Sequence, residues 1–246
     1  MQELAKEVLG TLIDPKQLPS HVAFIMDGNR RWAQNKGVSP TTGHCKGAEV
    51  LTQMVEVASS LGIKIITAYA FSTENWKRSE KEVEFLLALF HSYLMQQKEA
   101  MLRKGVRLNV IGNIDAFPSP LKNLIQEVCE STKKNSKIDL VLAMNYGARD
   151  DITRAFIQIA QKCLKGEVLL EQITEQFIAR HLDTGPWGDP DLLIRTSGEK
   201  RLSNFLLWQL AYTEIYLTDR MWPDFDEEEF VKALIDFQKR NRRKGQ

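Results

Sequence analysis

Five short apolar runs along this chain each break off into a polar or charged cluster. Residues 22–26 lead into Asp27-Gly28-Asn29-Arg30-Arg31-Trp32, and residues 65–71 into Ser72-Thr73-Glu74-Asn75-Trp76-Lys77-Arg78. Residues 108–111 meet Gly112-Asn113, residues 140–144 meet Asn145-Tyr146-Gly147, and residues 192–194 meet Arg195-Thr196-Ser197-Gly198-Glu199-Lys200-Arg201. Apolar runs of this length bounded by turn formers read as buried strands. Between them the period becomes helical. Residues 43–60 put Val50, Leu51, Met54, Val57 and Ala58 on one face. Residues 83–103 repeat apolar positions at helical spacing and stop at Lys104-Gly105, a basic last turn followed by glycine. Ser119-Pro120 opens another helix with Leu121, Leu124, Ile125 and Val128 facing inward, and helices over 149–164 and 169–182 follow. Asp226 is the expected N-cap of a last helix reaching about Asn241, with acidic residues where the helix dipole favours them.

This alternation predicts an α/β fold: a single domain, residues 1–246, with a mostly parallel central sheet flanked by helices. Residues 1–20 form an N-terminal helical extension in which Leu4, Val8, Leu9 and Leu12 share a face. In an open parallel sheet the carboxyl ends of the strands share one edge, and ligands bind there. The polar clusters therefore converge on one mouth. The run Phe85-Leu86-Leu87-Ala88-Leu89-Phe90 is apolar on every side. It fits a central core helix, or a helix with one face on the sheet and the other lining an apolar cavity. At 1.5 Å per residue the 83–103 helix is roughly 30 Å long, enough to wall a tunnel for a hydrocarbon.

Composition narrows the class. The net charge is +1, so no global field favours nucleic acid and anion binding must come from local clusters. Cys45, Cys129 and Cys163 lie far apart with no C-x-x-C, which suggests neither a disulfide framework nor a zinc site. No apolar stretch approaches the length of a membrane span, and the first residues lack the basic region of a signal peptide. A cytoplasmic protein is expected. The standard P-loop, dinucleotide, zincin and hydrolase motifs are absent, as is a D-D-x-x-D diphosphate–magnesium motif.

The chemistry sits at the strand ends. Asp27 through Trp32 offers a carboxylate, a flexible turn and two guanidiniums; glycine lets backbone approach a phosphate, and the carboxylate suits Mg²⁺, which binds through one or two carboxylates plus substrate phosphates. Arg195 and Arg201, with Gly198 between them, can close on one diphosphate from two sides, since the guanidinium fork binds phosphate oxygens bidentately. Glu214 stands alone in an apolar and aromatic stretch and needs a partner, an arginine or a metal. The 72–78 cluster reads as a substrate loop or as an ordinary loop packing Trp76. His44, after Gly43, reads as a phosphate donor at a helix start or as a structural histidine.

Several blocks together carry a specific resemblance. His21-Val-Ala-Phe-Ile-Met-Asp-Gly-Asn-Arg-Arg-Trp32, Gly43-His44, Tyr69-Ala-Phe-Ser-Thr-Glu-Asn-Trp76, Asn145-Tyr-Gly147, Asp191-Leu-Leu-Ile-Arg-Thr-Ser-Gly-Glu199, Ser203-Asn-Phe-Leu-Leu-Trp208 and Trp222-Pro-Asp-Phe225 resemble the signature blocks of the cis-prenyltransferases. Bacterial members of that family are undecaprenyl diphosphate synthases, or isoprenyl transferases. The resemblance implies a homodimer of α/β fold enclosing an apolar tunnel. It implies Mg²⁺-dependent addition of isopentenyl diphosphate to an allylic diphosphate, farnesyl or geranyl diphosphate, giving a long-chain polyprenyl diphosphate such as the undecaprenyl cell-wall lipid carrier precursor. Peripheral contact with the membrane follows from that product.

Carried over by position, Asp27 is the essential carboxylate that manages Mg²⁺, with Glu214 joining the metal site. Gly28, Asn29, Arg30, Arg31 and His44 surround the allylic diphosphate, with Trp32 nearby. Ser72, Thr73, Glu74, Asn75, Trp76 and Arg78 form the substrate loop, where Asn75 assists proton removal. Arg195, Arg201 and Ser203 hold isopentenyl diphosphate, with Leu202 in the same segment, and Arg243-Lys244-Gly245 reaches the partner's site. Ile138 stands at the expected tunnel floor. Four positions depart from the common pattern: Arg30, Pro40, Met144 and Lys200. Arg30 is expected to replace a cation lost at Pro40, and Met144 to narrow the tunnel mouth. A non-catalytic partner subunit and a nucleotide-binding phosphate module are the competing readings; the retained charged residues oppose the first and the apolar 85–90 run the second.

Overall fold

Six parallel strands make one sheet in the order β3-β4-β2-β1-β5-β6: β1 (His21–Ile25), β2 (Ile65–Ser72), β3 (Val106–Ile111), β4 (Ile138–Tyr146), β5 (Leu192–Arg195) and β6 (Glu214–Leu217). The structure is a computed structural model and describes residues 13–240. Crossover connections cover both faces of a parallel sheet, so its strands become continuous apolar runs. β1, β4 and β5 are accordingly buried at every position. Alternate side chains sort by face: Val22, Phe24, Leu140, Leu142, Leu192 and Ile194 join one cluster, while Ala23, Ile25, Val141, Ala143 and Leu193 join another with Phe205, Leu206 and Leu210. The sixth strand was not among the five expected. It is an edge with one partner, exposed at alternate residues, and its apolar signal is correspondingly thin.

The helices follow from local signals. The connection after β1 holds α1 (Asn29–Asn35) and α2 (Pro40–Leu61). Pro40 occupies the first turn of α2, where its missing N–H costs nothing, and Ser39 accepts from Thr42 N. α3 (Glu80–Lys104) stops at Gly105, whose φ of 72° ends it in the left-handed region. α4 (Ser119–Thr132), α5 (Ala148–Leu164), α6 (Glu175–Ala179) and α7 (Glu227–Lys239) complete the set. Asp226 caps α7 through Glu229 N at 2.9 Å, as expected.

The helix expected over 169–182 is mostly absent. A short turn, Leu170–Gln172, precedes α6, because Thr174 is extended and its hydroxyl starts a new helix by accepting from Phe177 N. Leu169 and Leu170 are exposed, so no buried face holds a longer helix together. The extension up to residue 12, Asn241 and the segment Arg243-Lys244-Gly245 lie outside the described residues.

Two consequences position the site. From β1 the chain turns one way into β2, whereas β5 joins β1 on its other flank. The carboxyl ends of β1 and β5 thus form the switch point at which a doubly wound sheet opens a crevice. In the amino-terminal half of α3, only Val83 and Leu86 are buried, while Leu89, Phe90 and Tyr93 face a cavity. The helix lines a cavity; it is not enclosed on all sides.

Candidate active site

Asp27 lies two residues beyond the last rung between β1 and β5, where Ile25 pairs with Arg195. Its Oδ2 accepts from Arg195 Nη2 at 2.8 Å. Arg195 is 2% exposed, and a guanidinium so far from water requires a carboxylate. Its Nη1 donates to Ser203 Oγ at 3.0 Å and to the Arg201 carbonyl. The Asp27 carbonyl accepts from Thr196 Oγ1 and Ser197 Oγ, so the segment after β5 clamps the segment after β1. Gly28 is required here: its φ is +105°, and a Cβ would stand 2.0 Å from Ser197 Oγ. Arg31 Nη2 lies 2.9 Å from Glu199 Oε1 and 3.6 Å from Asp27 Oδ1, and Glu199 also pairs with Arg201. Two carboxylates and three guanidiniums alternate around the mouth.

The facing wall comes from α2, α3 and the 3₁₀ turn Thr73–Lys77. Asn75 Oδ1 accepts from Ser72 N at 3.0 Å and closes that turn on itself. Glu82, in the first turn of α3, accepts from Arg78 at 2.7 Å and lies 3.4 Å from Arg30. Its Oε1 is 4.0 Å from His44 Nε2, beyond hydrogen-bonding distance. Burial, then the Arg78 charge, lowers the His44 pKa to about 4, so the imidazole is neutral at neutral pH. His44 Nε2, Asn29 Oδ1 and Arg195 Nε are buried without a hydrogen-bond partner. All three residues line one cavity. Buried polar atoms rarely stay unpaired, which marks these as positions for ligand contacts.

That cavity has a volume of about 650 Å³. Its mouth is charged, while Leu51, Leu86, Leu89, Phe90, Tyr93 and Leu142 line its depth. Tyr93 also borders a second, smaller cavity with Thr52, Gln97, Met101 and Leu140, and its hydroxyl accepts from Thr52 Oγ1 at 3.4 Å. Beyond it lies a surface pocket with Glu56, Lys104 and Lys137. The apolar passage along α2 and α3 is therefore interrupted at Tyr93.

Of the residues expected from the sequence, Asp27, Asn29, His44, Ser72, Glu74, Asn75, Arg78, Arg195, Arg201 and Ser203 line this cavity. Gly28 and Arg31 support Asp27 from just outside. Arg30 does not reach the cavity; its side chain is 61% exposed and points at Glu82. Trp32 donates to Asp224 Oδ1 at 2.8 Å, away from the cavity. Leu202 packs against the second apolar cluster. Thr73 and Trp76 face the end of β4.

Glu214 requires a correction. It opens β6 beside Leu192, three rungs before Arg195 and Leu217, which puts it roughly 10 Å along the strands toward the amino edge. There its Oε2 accepts from Arg240 at 2.8 Å. The pairing of Glu214 with Asp27 in one metal site is not found within this chain. Met144 and Ile138 are also buried in the sheet and do not line the cavity.

Glu82, Glu199 and Tyr93 shape the site beyond the residues expected from the sequence. Glu82 is signalled by its i, i+4 spacing from Arg78, and Tyr93 by its i, i+3 spacing from Phe90 on the apolar face. Glu199 lay inside a recognised cluster, but which cation it meets depends on how two loops pack.

Among the described residues no group of three or more His, Cys, Asp or Glu could hold a metal by itself. A lone Asp27 still suits Mg²⁺, which takes most of its ligands from substrate phosphates and water.

Comparison with known proteins identifies the family and the fold. The prenyltransferase family model, described as "Putative undecaprenyl diphosphate synthase", matches residues 25–245. An isoprenyl transferase of Shouchella clausii (strain KSM-K16) is 48% identical over 235 residues, covering 96% of this chain and 91% of that protein. The crystal structure of lavandulyl diphosphate synthase from Lavandula x intermedia, in complex with dimethylallyl diphosphate, superposes with a TM-score of 0.91 at 37% identity, covering 94% of this chain and 100% of that one. A probable undecaprenyl diphosphate synthase from Campylobacter jejuni gives a TM-score of 0.78 at 32% identity, covering 93% and 99%.

Proposed function

Because this chain belongs to the undecaprenyl diphosphate synthase family of prenyltransferases, we propose that it condenses isopentenyl diphosphate with an allylic diphosphate. The primer is farnesyl or geranyl diphosphate, and the product a long-chain cis-polyprenyl diphosphate of the undecaprenyl type. One observation carries the reading: the cavity that has the Asp27–Arg195 pair at its mouth is apolar in its depth. A nucleotide site would not need that depth.

In this reading Arg195, Arg201 and Ser203 bind the isopentenyl diphosphate. Asn29 and neutral His44, with Gly28 and Arg31 beside Asp27, receive the allylic one. Asp27 would hold Mg²⁺, which when bound supplies positive charge at the departing diphosphate. The guanidiniums do the same from fixed positions, and the apolar depth receives the hydrocarbon and excludes water. The isopentenyl double bond attacks the allylic carbon as the C–O bond breaks with its electron pair on the diphosphate, and a proton leaves C2. Asn75 is a neutral amide and a poor base, and its oxygen already accepts from Ser72 N. It orients a water or a diphosphate oxygen that takes the proton. A homodimer is part of the proposal, supported by the exposed Phe156, Ile157 and Leu164 on α5. No described helix is long and apolar enough to cross a membrane, and a peripheral enzyme in the cytoplasm fits the reading.

The test is incubation with labelled isopentenyl diphosphate, Mg²⁺ and either primer, followed by chromatography. Extension of the primer in five-carbon steps is expected. No incorporation with either primer would defeat the proposal.

A further inference from the structure

The Asn145-Tyr146-Gly147 block has no part in the reaction described above, yet the Thr73–Lys77 turn rests on it. Asn145 is buried, and its backbone lies at φ 48°. Non-glycine residues enter that region at a cost, and those that do concentrate at functional sites. Its Oδ1 accepts from Trp76 Nε1 at 2.8 Å, and its Nδ2 donates to the Asn113 carbonyl at 2.6 Å. The carbonyl can only accept and the indole can only donate, so the amide has one allowed orientation.

Around this bond the Trp76 ring meets Phe71 edge-on at 5.3 Å and lies 6.0 Å from Phe117. Gly147 completes the seat: a Cβ there would stand 2.7 Å from Thr73 Oγ1 and hold the turn off the end of β4. Trp76 itself does not line the cavity, whereas Glu74, Asn75 and Arg78 beside it do. Those three side chains have partners of their own, Glu74 with Asn204, Asn75 with Ser72 N and Arg78 with Glu82, so what the seat of Trp76 sets is the backbone of the turn that carries them.

We propose that Asn145 is a positioning residue: by holding the Trp76 indole it locks the Thr73–Lys77 turn in the orientation that aims Asn75 and Arg78 into the cavity. The catalytic part of this inference rests on the proposed prenyl transfer; the structural part does not.

The test uses three variants of the full chain. Asn145→Gly removes the acceptor while tolerating φ 48°, so the fold is spared. Trp76→Phe keeps an aromatic ring against Phe71 and Phe117 but removes the N–H, and the double variant closes the cycle. Each single variant is expected to lower kcat about tenfold while KM for isopentenyl diphosphate stays within about threefold, and the double is expected to be no worse than the poorer single. The Trp76 fluorescence, taken as the difference between each protein and its Trp76→Phe counterpart, should become about twice as accessible to acrylamide when Asn145 is glycine. Multiplying losses, about a hundredfold in the double, or unchanged quenching would overturn the proposal and leave Asn145 as a support for β4 through Asn113. If the wild type fails to condense its substrates, the functional reading falls, and the quenching comparison still decides whether Asn145 holds the turn.

Discussion

Removing the carboxylate of Asp27 attacks the pocket at its most constrained point. Arg195 is almost fully buried and donates to Asp27 Oδ2 at 2.8 Å. In Asp27→Ala its Nη1 keeps Ser203 and the Arg201 carbonyl, but Nη2 loses its partner. Stripping one member from a fully buried pair costs about 3–5 kcal/mol. The Asp27 side chain is 31% exposed, so water reaches the gap and the cost falls toward the 1.5–3 kcal/mol of one charge-assisted hydrogen bond. About 2 kcal/mol, at 2–4 °C per kcal/mol for a domain of this size, lowers Tm by roughly 4–8 °C.

Activity should fall much further. If the carboxylate contributes about 4 kcal/mol to the transition state by holding the metal, turnover drops by roughly a thousandfold. The assay pairs labelled isopentenyl diphosphate incorporation with a melting curve. Asp27→Asn, which keeps an oxygen for Arg195, should recover most of the Tm and little of the turnover. Incorporation within about tenfold of wild type in either variant would refute the assignment.

Three further outcomes follow from the geometry. Tyr93→Ala should join the two apolar cavities and shift the product distribution to longer chains by chromatography, and an unchanged distribution would show that the hydrocarbon never reaches Tyr93. Arg30→Gly should change KM for the allylic diphosphate less than about threefold, because an exposed pair with Glu82 outside the cavity contributes under about 1 kcal/mol; a tenfold rise would restore Arg30 as the replacement for the cation missing at Pro40. Burial lowers the pKa of both His21 and His44 to about 4, against 6.5 when unfolded. The unfolded chain then binds more protons, so their contribution is complete above about pH 6.5 and is lost as the pH falls toward 4, roughly 3 kcal/mol for each. Burial raises Asp151 to about 6, so its stabilising contribution runs the other way and is lost as the pH rises through 6. Imidazole proton shifts that titrate near 6.5 for both histidines would contradict the burial argument.

The sequence by itself determined the parallel sheet and its chemistry-bearing edge. Strands buried on both faces are predominantly apolar, with exceptions such as Thr67 in β2 and Asp139 in β4, and the polar clusters resume where the sheet ends. Asp27 and Arg195 were therefore legible as strand-end residues, as were Pro40 in the first turn of α2 and Gly105 after α3. The signal failed where a segment's environment depends on remote partners. β6 is half exposed at the sheet edge, and the 169–182 pattern had no surface to pack on. An isolated carboxylate at Glu214 needs an arginine or a metal, and its sequence left both open while the family resemblance implied the metal; within this chain the partner is Arg240, brought from the end of α7.

Tertiary structure alone decided which cation meets which carboxylate, that Arg30 and Trp32 turn away from the cavity, and that Tyr93 divides the passage. Those outcomes depend on rotamers and strand register set by residues far away in the chain. Local periodicity carries no information about them. It records which face of an element is buried, whereas packing between elements selects the contacts that face makes.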